Sequence, residues 1–145
     1  KRNMRASFNP VSNFIKQLTR KSPTEKIRSK AFLLALSRTT SADTNIRDIE
    51  VQKVQELLKE HSGKDYSTSD IRVAAKSYRY EKEPLDRFIA RASKRLSQED
   101  KIDIAFGMMA IMKSDGRVGS MERKYYDRMV GSLKLTPSQL MEHAA

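Results

Sequence analysis

The sequence SADTNIRDIE at residues 41–50 recurs in outline as KSDGRVGSME at residues 113–122. Each copy has an aliphatic residue three positions after an Asp and a Glu seven positions after it: Asp43, Ile46 and Glu50 in the first copy, and Asp115, Val118 and Glu122 in the second. Each copy follows an apolar helical stretch and precedes an amphipathic one. The repeat therefore predicts two related helix–turn–helix halves.

The stretches that flank the turns predict helices and no confident strand. Residues 31–36 are apolar nearly all round, and residues 102–112 mirror them in the second half, so both are expected at the centre of the fold. Tyr78 and Phe106 are expected to be buried on their helices. The predicted fold class is all-α, a single-domain bundle of about seven helices built from two related helix–turn–helix halves.

Capping residues mark where several of these helices begin and end. Ser22 with Glu25, and Thr136 with Gln139, have the spacing of a capping box, in which each residue bonds the backbone of the other. Gly63 is placed to end a helix in the left-handed conformation. The starts and stops therefore agree with the apolar periodicity.

Positive charge is concentrated at the N-terminus. The 145-residue chain has a net charge of +11, and residues 1–30 hold nine Lys or Arg against the single acid Glu25. We expect a basic arm over residues 1–22 and a helical domain over residues 23–145. The arm residues expected to bind an anionic surface are Lys1, Arg2, Arg5, Lys16, Arg20 and Lys21.

Apolar side chains of the arm recur at helical spacing: Val11, Phe14, Ile15 and Leu18. Such a basic amphipathic helix binds anionic lipid or nucleic acid, or packs its apolar side on the rest of the protein. These three interpretations stay open. No apolar stretch approaches the ~20 residues that a bilayer crossing needs, and no secretory signal is visible.

A second basic stretch lies in the middle of the chain. Its members are Arg72, Lys76, Arg79, Lys82, Arg87, Arg91, Lys94 and Arg95, and Tyr78 and Tyr80 are interleaved with them. Nucleic-acid binding uses such a combination for phosphate contacts and stacking. Four acids share the stretch, so an acidic protein partner or a solvated helix face explains it equally well.

No set of residues predicts catalysis. His61 and His143 are the only two histidines; neither has a nucleophile or carboxylate at motif spacing, and both are expected at the surface. The absence of Cys excludes disulfides, thiolate metal sites and cysteine nucleophiles. We therefore expect a protein that is not an enzyme and has no cofactor.

A resemblance to the second half of a TerB-like (tellurite-resistance B) domain covers residues 110–122, the following amphipathic helix and the segment LKLTPSQL at 133–140. Residues 41–50 are similar to the corresponding turn of its first half. The resemblance implies an all-helical domain of two related halves. Such domains occur alone in tellurite- and stress-resistance systems and also attached to other modules, including membrane-anchored J-domain co-chaperones.

The resemblance also raises a metal role, which has been suggested for the family's acidic surface. The candidate ligands are Asp43, Glu50, Asp115 and Glu122. Thr44 stands where the family usually has Gly, and Gly119, Ser120 and Met121 replace the acids that often precede the second Glu. These departures weaken the inference.

An EF-hand register gives an independent test of the metal hypothesis. Asp115, Val118 and Glu122 fall at its fifth, eighth and twelfth positions, but Ile111 and Lys113 then occupy the first and third. Thr39 and Ser41 at those positions of the first copy are little better. We favour a structural interpretation, in which Asp accepts backbone N–H groups, the aliphatic residue enters the core and Glu lies in the first helical turn.

The sequence thus predicts a non-catalytic interaction or adaptor domain, cytoplasmic or peripheral to a membrane, with stress or tellurite resistance as its setting. Its expected partner is a protein or an anionic membrane surface. A nucleic-acid-binding module and a divalent-metal sensor are the alternatives.

Overall fold

A computed structural model describes residues 22–144. These residues form seven α-helices, two 3₁₀ turns and no strand, which confirms the all-α prediction. The helices are α1 (Pro23–Thr39), α2 (Asp48–Ser62), α3 (Thr68–Ala75), α4 (Leu85–Ala92), α5 (Gln98–Lys113), α6 (Ser120–Ser132) and α7 (Pro137–Ala144), and the 3₁₀ turns are Ser77–Arg79 and Ser93–Arg95.

Helices α1 and α5 are central, as their apolar sequences predict. Helix α1 packs against α3, α4 and α5, and α5 packs against α1, α2 and α6. The two helices cross closely at Gly107, where a Cβ atom would lie 2.9 Å from Leu36 Cδ2. Tyr125 ties α6 to α1, because its hydroxyl donates to the carbonyl of Ala35 at 2.7 Å. These contacts fix the two turns relative to each other.

Most of the predicted helix ends are correct. Thr136 and Gln139 bond each other's backbone N–H groups, and Gly63 ends α2 with φ of 73°. The full capping box at Ser22 is a wrong prediction. Ser22 Oγ accepts from the Glu25 N–H, but the Glu25 carboxylate bonds Arg28 instead of returning to the Ser22 backbone.

Two burial predictions are also wrong. Tyr78 is half exposed, because α3 ends at Ala75 and the chain continues as a 3₁₀ turn that rotates the ring outward. Phe106 is 38% exposed, because it lies on a side of α5 that α2 covers only in part, beside Leu57. Both aromatic residues therefore belong to the surface.

Candidate functional site

The two repeated turns meet in the folded structure. The first connects α1 to α2, the second connects α5 to α6, and Arg47 of the first turn contacts Asp115 of the second. We call Asp43, Arg47, Glu50, Asp115 and Glu122 the paired-turn cluster. The close packing of α1 on α5 brings it together from residues some 70 positions apart in the chain.

Both turns are built in the same way. Asp43 Oδ1 accepts from the Asn45 N–H at 3.1 Å, and Asp115 Oδ1 accepts from the Arg117 N–H at 3.4 Å. The residue after each Asp has a positive φ, which is 68° at Thr44 and 97° at Gly116. The predicted role of Asp as an acceptor for the backbone of the turn is confirmed.

Arg47 bridges the two turns. Its Nη1 atom lies 2.9 Å from Asp43 Oδ2, and its Nε atom lies 3.3 Å from Asp115 Oδ2. The same Nη1 atom is 3.9 Å from Glu50 Oε1. The bond to Asp43 and the negative charge of Asp43 raise the pKa of Arg47, so it stays cationic.

The two Glu residues are buried in the first turns of α2 and α6. Glu50 is 0% exposed and Glu122 is 2% exposed. Glu122 Oε1 accepts from the N–H of Gly119 at 3.0 Å. Within residues 22–144, the other Glu122 oxygen and both Glu50 oxygens have no hydrogen-bond partner. Buried unpartnered carboxylate oxygens are costly unless a proton or a cation supplies the missing charge.

A proton satisfies this requirement at Glu50. Burial, the charge of Glu122 and then that of Asp115 raise the pKa of Glu50 to about 8, whereas Arg47 lowers it. Two ionised carboxylates have no hydrogen to share. A proton on Glu50 gives the pair one hydrogen-bond donor, and the pair then consists of a neutral acid, Glu50, facing the carboxylate of Glu122.

The donor set does not fit a metal ion. In the part of the chain that the structure describes, no group of three or more His, Cys, Asp or Glu side chains converges as a metal site requires. The guanidinium of Arg47 lies among the carboxylates, where it supplies the positive charge that a cation would bring. The four predicted metal candidates are thus brought together, but three of them contact an arginine, and Glu122 lies beside Glu50.

His61 is predicted to lie at the surface, but its side chain is only 17% exposed. Its ring stacks on Phe32 with centroids 3.6 Å apart, and Arg28 Nη2 donates to its Nε2 at 2.8 Å. Burial and the charge of Arg28 lower the pKa of His61, so the ring is neutral with its proton on Nδ1. Arg28 also contacts both oxygens of Asp100 at 3.0 Å. This network joins α1, α2 and α5. His143 is exposed as predicted.

The mid-chain basic residues mostly face solvent. Arg72 bonds Asp48, and Arg91 bonds Glu83 at 2.8 Å. Six exposed basic side chains of the stretch form no ion pair within residues 22–144, and we call them the basic face: Lys76, Arg79, Lys82, Arg87, Lys94 and Arg95.

Two tyrosines accompany the basic face. Tyr78 is 50% exposed between the guanidinium groups of Arg38 and Arg79, and Tyr80 is 86% exposed. Beside Tyr78 lies a cleft of about 660 Å³ that Arg38, Glu81 and Arg128 help to line. Glu81 accepts hydrogen bonds from Arg38 and Ser77.

The predicted arm residues lie outside the described residues: Lys1, Arg2, Arg5, Lys16, Arg20 and Lys21. The proposed arm boundary at residue 22 is likewise untested. None of the helices within residues 22–144 is both long enough and apolar enough to cross a membrane.

Sequence reasoning missed Arg47 and the Arg28 network. The signal for Arg47 was present, because it lies four positions after Asp43, where the second copy has Gly119. A charge present in one copy of a repeat and absent from the other points to a contact across the repeat. No comparable signal marks the contacts of Arg28 with His61 and Asp100, which lie on two other helices.

The fold and the paired turns define an all-helical domain made of two related helix–turn–helix halves. Comparison with protein-family models matches residues 29–144 to the family described as tellurite resistance protein TerB. The match covers most of the chain, so the chain belongs to the TerB family. Searches of curated proteins and of solved structures found no match.

Proposed function

We propose that this TerB-family domain is a non-catalytic interaction module that binds an anionic surface through its basic face and its basic N-terminal arm. The observation that carries the proposal is the basic face itself, six exposed cations without a carboxylate partner in residues 22–144. TerB domains are generally non-catalytic. A cytoplasmic site at the periphery of a membrane, within a tellurite- or stress-resistance system, is part of this proposal.

Electrostatics favours an anionic membrane as the surface. Each Lys or Arg near an anionic leaflet contributes about 1 kcal/mol, and the contribution falls off within a Debye length of about 8 Å at physiological salt. The arm supplies six further basic residues within positions 1–22, together with apolar side chains suited to the lipid interface. Both elements therefore support reversible binding to an anionic membrane.

Nucleic acid is the second candidate, and the exposed tyrosines favour it. Tyr78 and Tyr80 stand beside Arg79 and Lys82, and exposed aromatic rings among cations stack on unpaired bases. This candidate predicts a strong salt dependence and a preference for single strands.

Sedimentation with lipid vesicles tests the proposal. The chain should bind vesicles of phosphatidylcholine with phosphatidylserine, but neither pure phosphatidylcholine nor single- or double-stranded DNA at physiological salt. The triple variant K76Q/K82Q/K94Q should bind the anionic vesicles at least about tenfold more weakly. Replacing the six arm cations with Gln should weaken binding further.

A matched triple variant controls for net charge. K113Q/K124Q/K134Q removes three exposed lysines outside the basic face and should leave binding within about twofold. Equal losses in both triples would show that net charge acts instead of the basic face. Retention on DNA in place of vesicles would favour the nucleic-acid candidate, and binding to neither would overturn both.

A further inference from the structure

We infer that Arg47 is a built-in cation that holds the two turns together where a divalent metal ion would otherwise be needed, so that Arg47 and a metal ion are mutually exclusive occupants of the paired-turn cluster. The inference is independent of the proposed function, because neither the basic face nor the arm belongs to this cluster.

The position of the guanidinium is the first observation. It reaches a carboxylate of its own turn at 2.9 Å, one of the opposite turn at 3.3 Å and the buried Glu50 at 3.9 Å. No other ion pair among the described residues joins the two turns. Within residues 22–144, the positive charge between the two turns therefore comes from this one side chain.

The orphaned carboxylate oxygens are the second observation. Within residues 22–144, Glu50 is fully buried with both oxygens lacking a hydrogen-bond partner, and Glu122 has one more such oxygen. Without Arg47, these two side chains with Asp43 and Asp115 would form a set of four carboxyl groups, of which only Glu50 holds a proton, with no cation beside them. Such a set binds a hard cation in preference to remaining empty.

Calcium is the cation that best suits the cluster once Arg47 is removed. The oxygens come from two turns and two helices and have no octahedral arrangement, and Ca²⁺ accepts irregular oxygen ligands at about 2.3–2.6 Å. Mg²⁺ needs near-octahedral geometry and gives up water reluctantly. Binding requires the carboxylates to move inward into the space that the guanidinium leaves.

Thermal unfolding of three chains tests the inference: wild type, R47Q and R123Q. Each is measured in EDTA and in about 5 mM CaCl₂ at matched ionic strength. R123Q is the matched control, because Arg123 is also close to the second turn but is 62% exposed and, among residues 22–144, pairs only with Asp127 at 3.6 Å. R47Q should melt about 3–6 °C higher with calcium, and wild type and R123Q should change by less than about 1 °C.

Further variants separate calcium binding at the cluster from a general effect of the lost charge. R47Q/E122Q should lose the calcium response, because one buried ligand is removed. R47K keeps a cation in place, so its melting temperature should not change with calcium. R47K is also the variant to measure if R47Q does not fold. Calorimetry of wild type with Ca²⁺ needs no variant and should show no binding heat. Calcium binding by wild type, or an R47Q chain indifferent to calcium, would overturn the inference.

Discussion

The two turns share a sequence pattern and a backbone conformation, but the carboxyl group of the buried Glu has different contacts in each. In the second turn, Glu122 accepts from the N–H of Gly119, which is a local bond within the turn. In the first turn, Arg47 stands at the matching N-cap position, and Glu50 makes no such bond. The second turn therefore satisfies one oxygen of its Glu by a local bond, whereas the first turn depends on a proton and on its neighbour.

This difference shows that the two copies of a duplicated motif can have different structural roles. At Gly119 the N–H of the N-cap residue bonds the Glu, whereas at Arg47 the side chain of the N-cap residue contacts the opposite turn. The same carboxylate is thus a helix cap in one half and a member of a cross-half network in the other. Variants at matching positions should accordingly have unequal or opposite effects.

The largest effect is expected from E122A. It removes the cap on Gly119 and leaves a cavity, and because Glu50 holds its proton near neutral pH there is little repulsion to relieve. We expect a loss of about 3 kcal/mol in the free energy of unfolding, measured by urea denaturation. E99A, which removes an exposed Glu from the first turn of α5, should cost less than about 0.5 kcal/mol. An E122A chain as stable as E99A would contradict the local role of Glu122.

In contrast to E122A, E50Q is expected to increase the free energy of unfolding. The folded pKa of Glu50, about 8, lies above its ordinary value of 4.5, so the folded state holds a proton that the unfolded state releases between these values. Stability is therefore lost as pH rises from about 4.5 to 8. E50Q removes this pH dependence. Its free energy of unfolding should exceed that of wild type by on the order of 2 kcal/mol at pH 8 and by almost nothing at pH 4.5.

Urea denaturation across this pH range measures the difference. E56Q changes an exposed Glu of the same helix and should follow the wild-type pH profile. If E50Q and wild type lose stability in parallel as the pH rises, Glu50 does not carry the proton.

The smallest effects are expected from exchanging the residues that follow the two Asp. Thr44 is β-branched and has φ of 68°, a conformation that glycine adopts without strain. T44G should stabilise the protein by about 0.5–1 kcal/mol after the entropy of the unfolded glycine is counted. G116T places the same strain at φ of 97° and should cost about 1–2 kcal/mol. Thermal unfolding measures both, and a destabilised T44G would show that the hydrogen bond from the Thr44 hydroxyl to the Asp43 carbonyl is worth more than the strain.

Local features of this fold are predictable from the sequence, and contacts between distant segments are not. The capping box at Thr136 and the turns at Asp43 and Asp115 depend on residues within a few positions, so spacing alone finds them. The pairing of the turns depends on how α1 crosses α5 at Gly107, which no local pattern encodes.

The errors have the same origin. A helical stripe predicts which side of a helix is apolar, but it does not predict how much of that side a neighbour covers, so it wrongly places Phe106 in the core. His61 has no local partner, and its place on Phe32 follows from the packing of α1 against α2. Spacing identifies the four candidate ligands individually, but it does not identify the arginine that binds them together.

The unequal N-caps at Arg47 and Gly119 have a consequence for recognition between the halves. Two copies of the first half, set face to face, would bring two guanidinium groups together, and two copies of the second half would oppose acids with no cation between them. Only unlike halves give one arginine among four acids. The unequal N-caps therefore favour contact between unlike halves of the chain over contact between two copies of the same half.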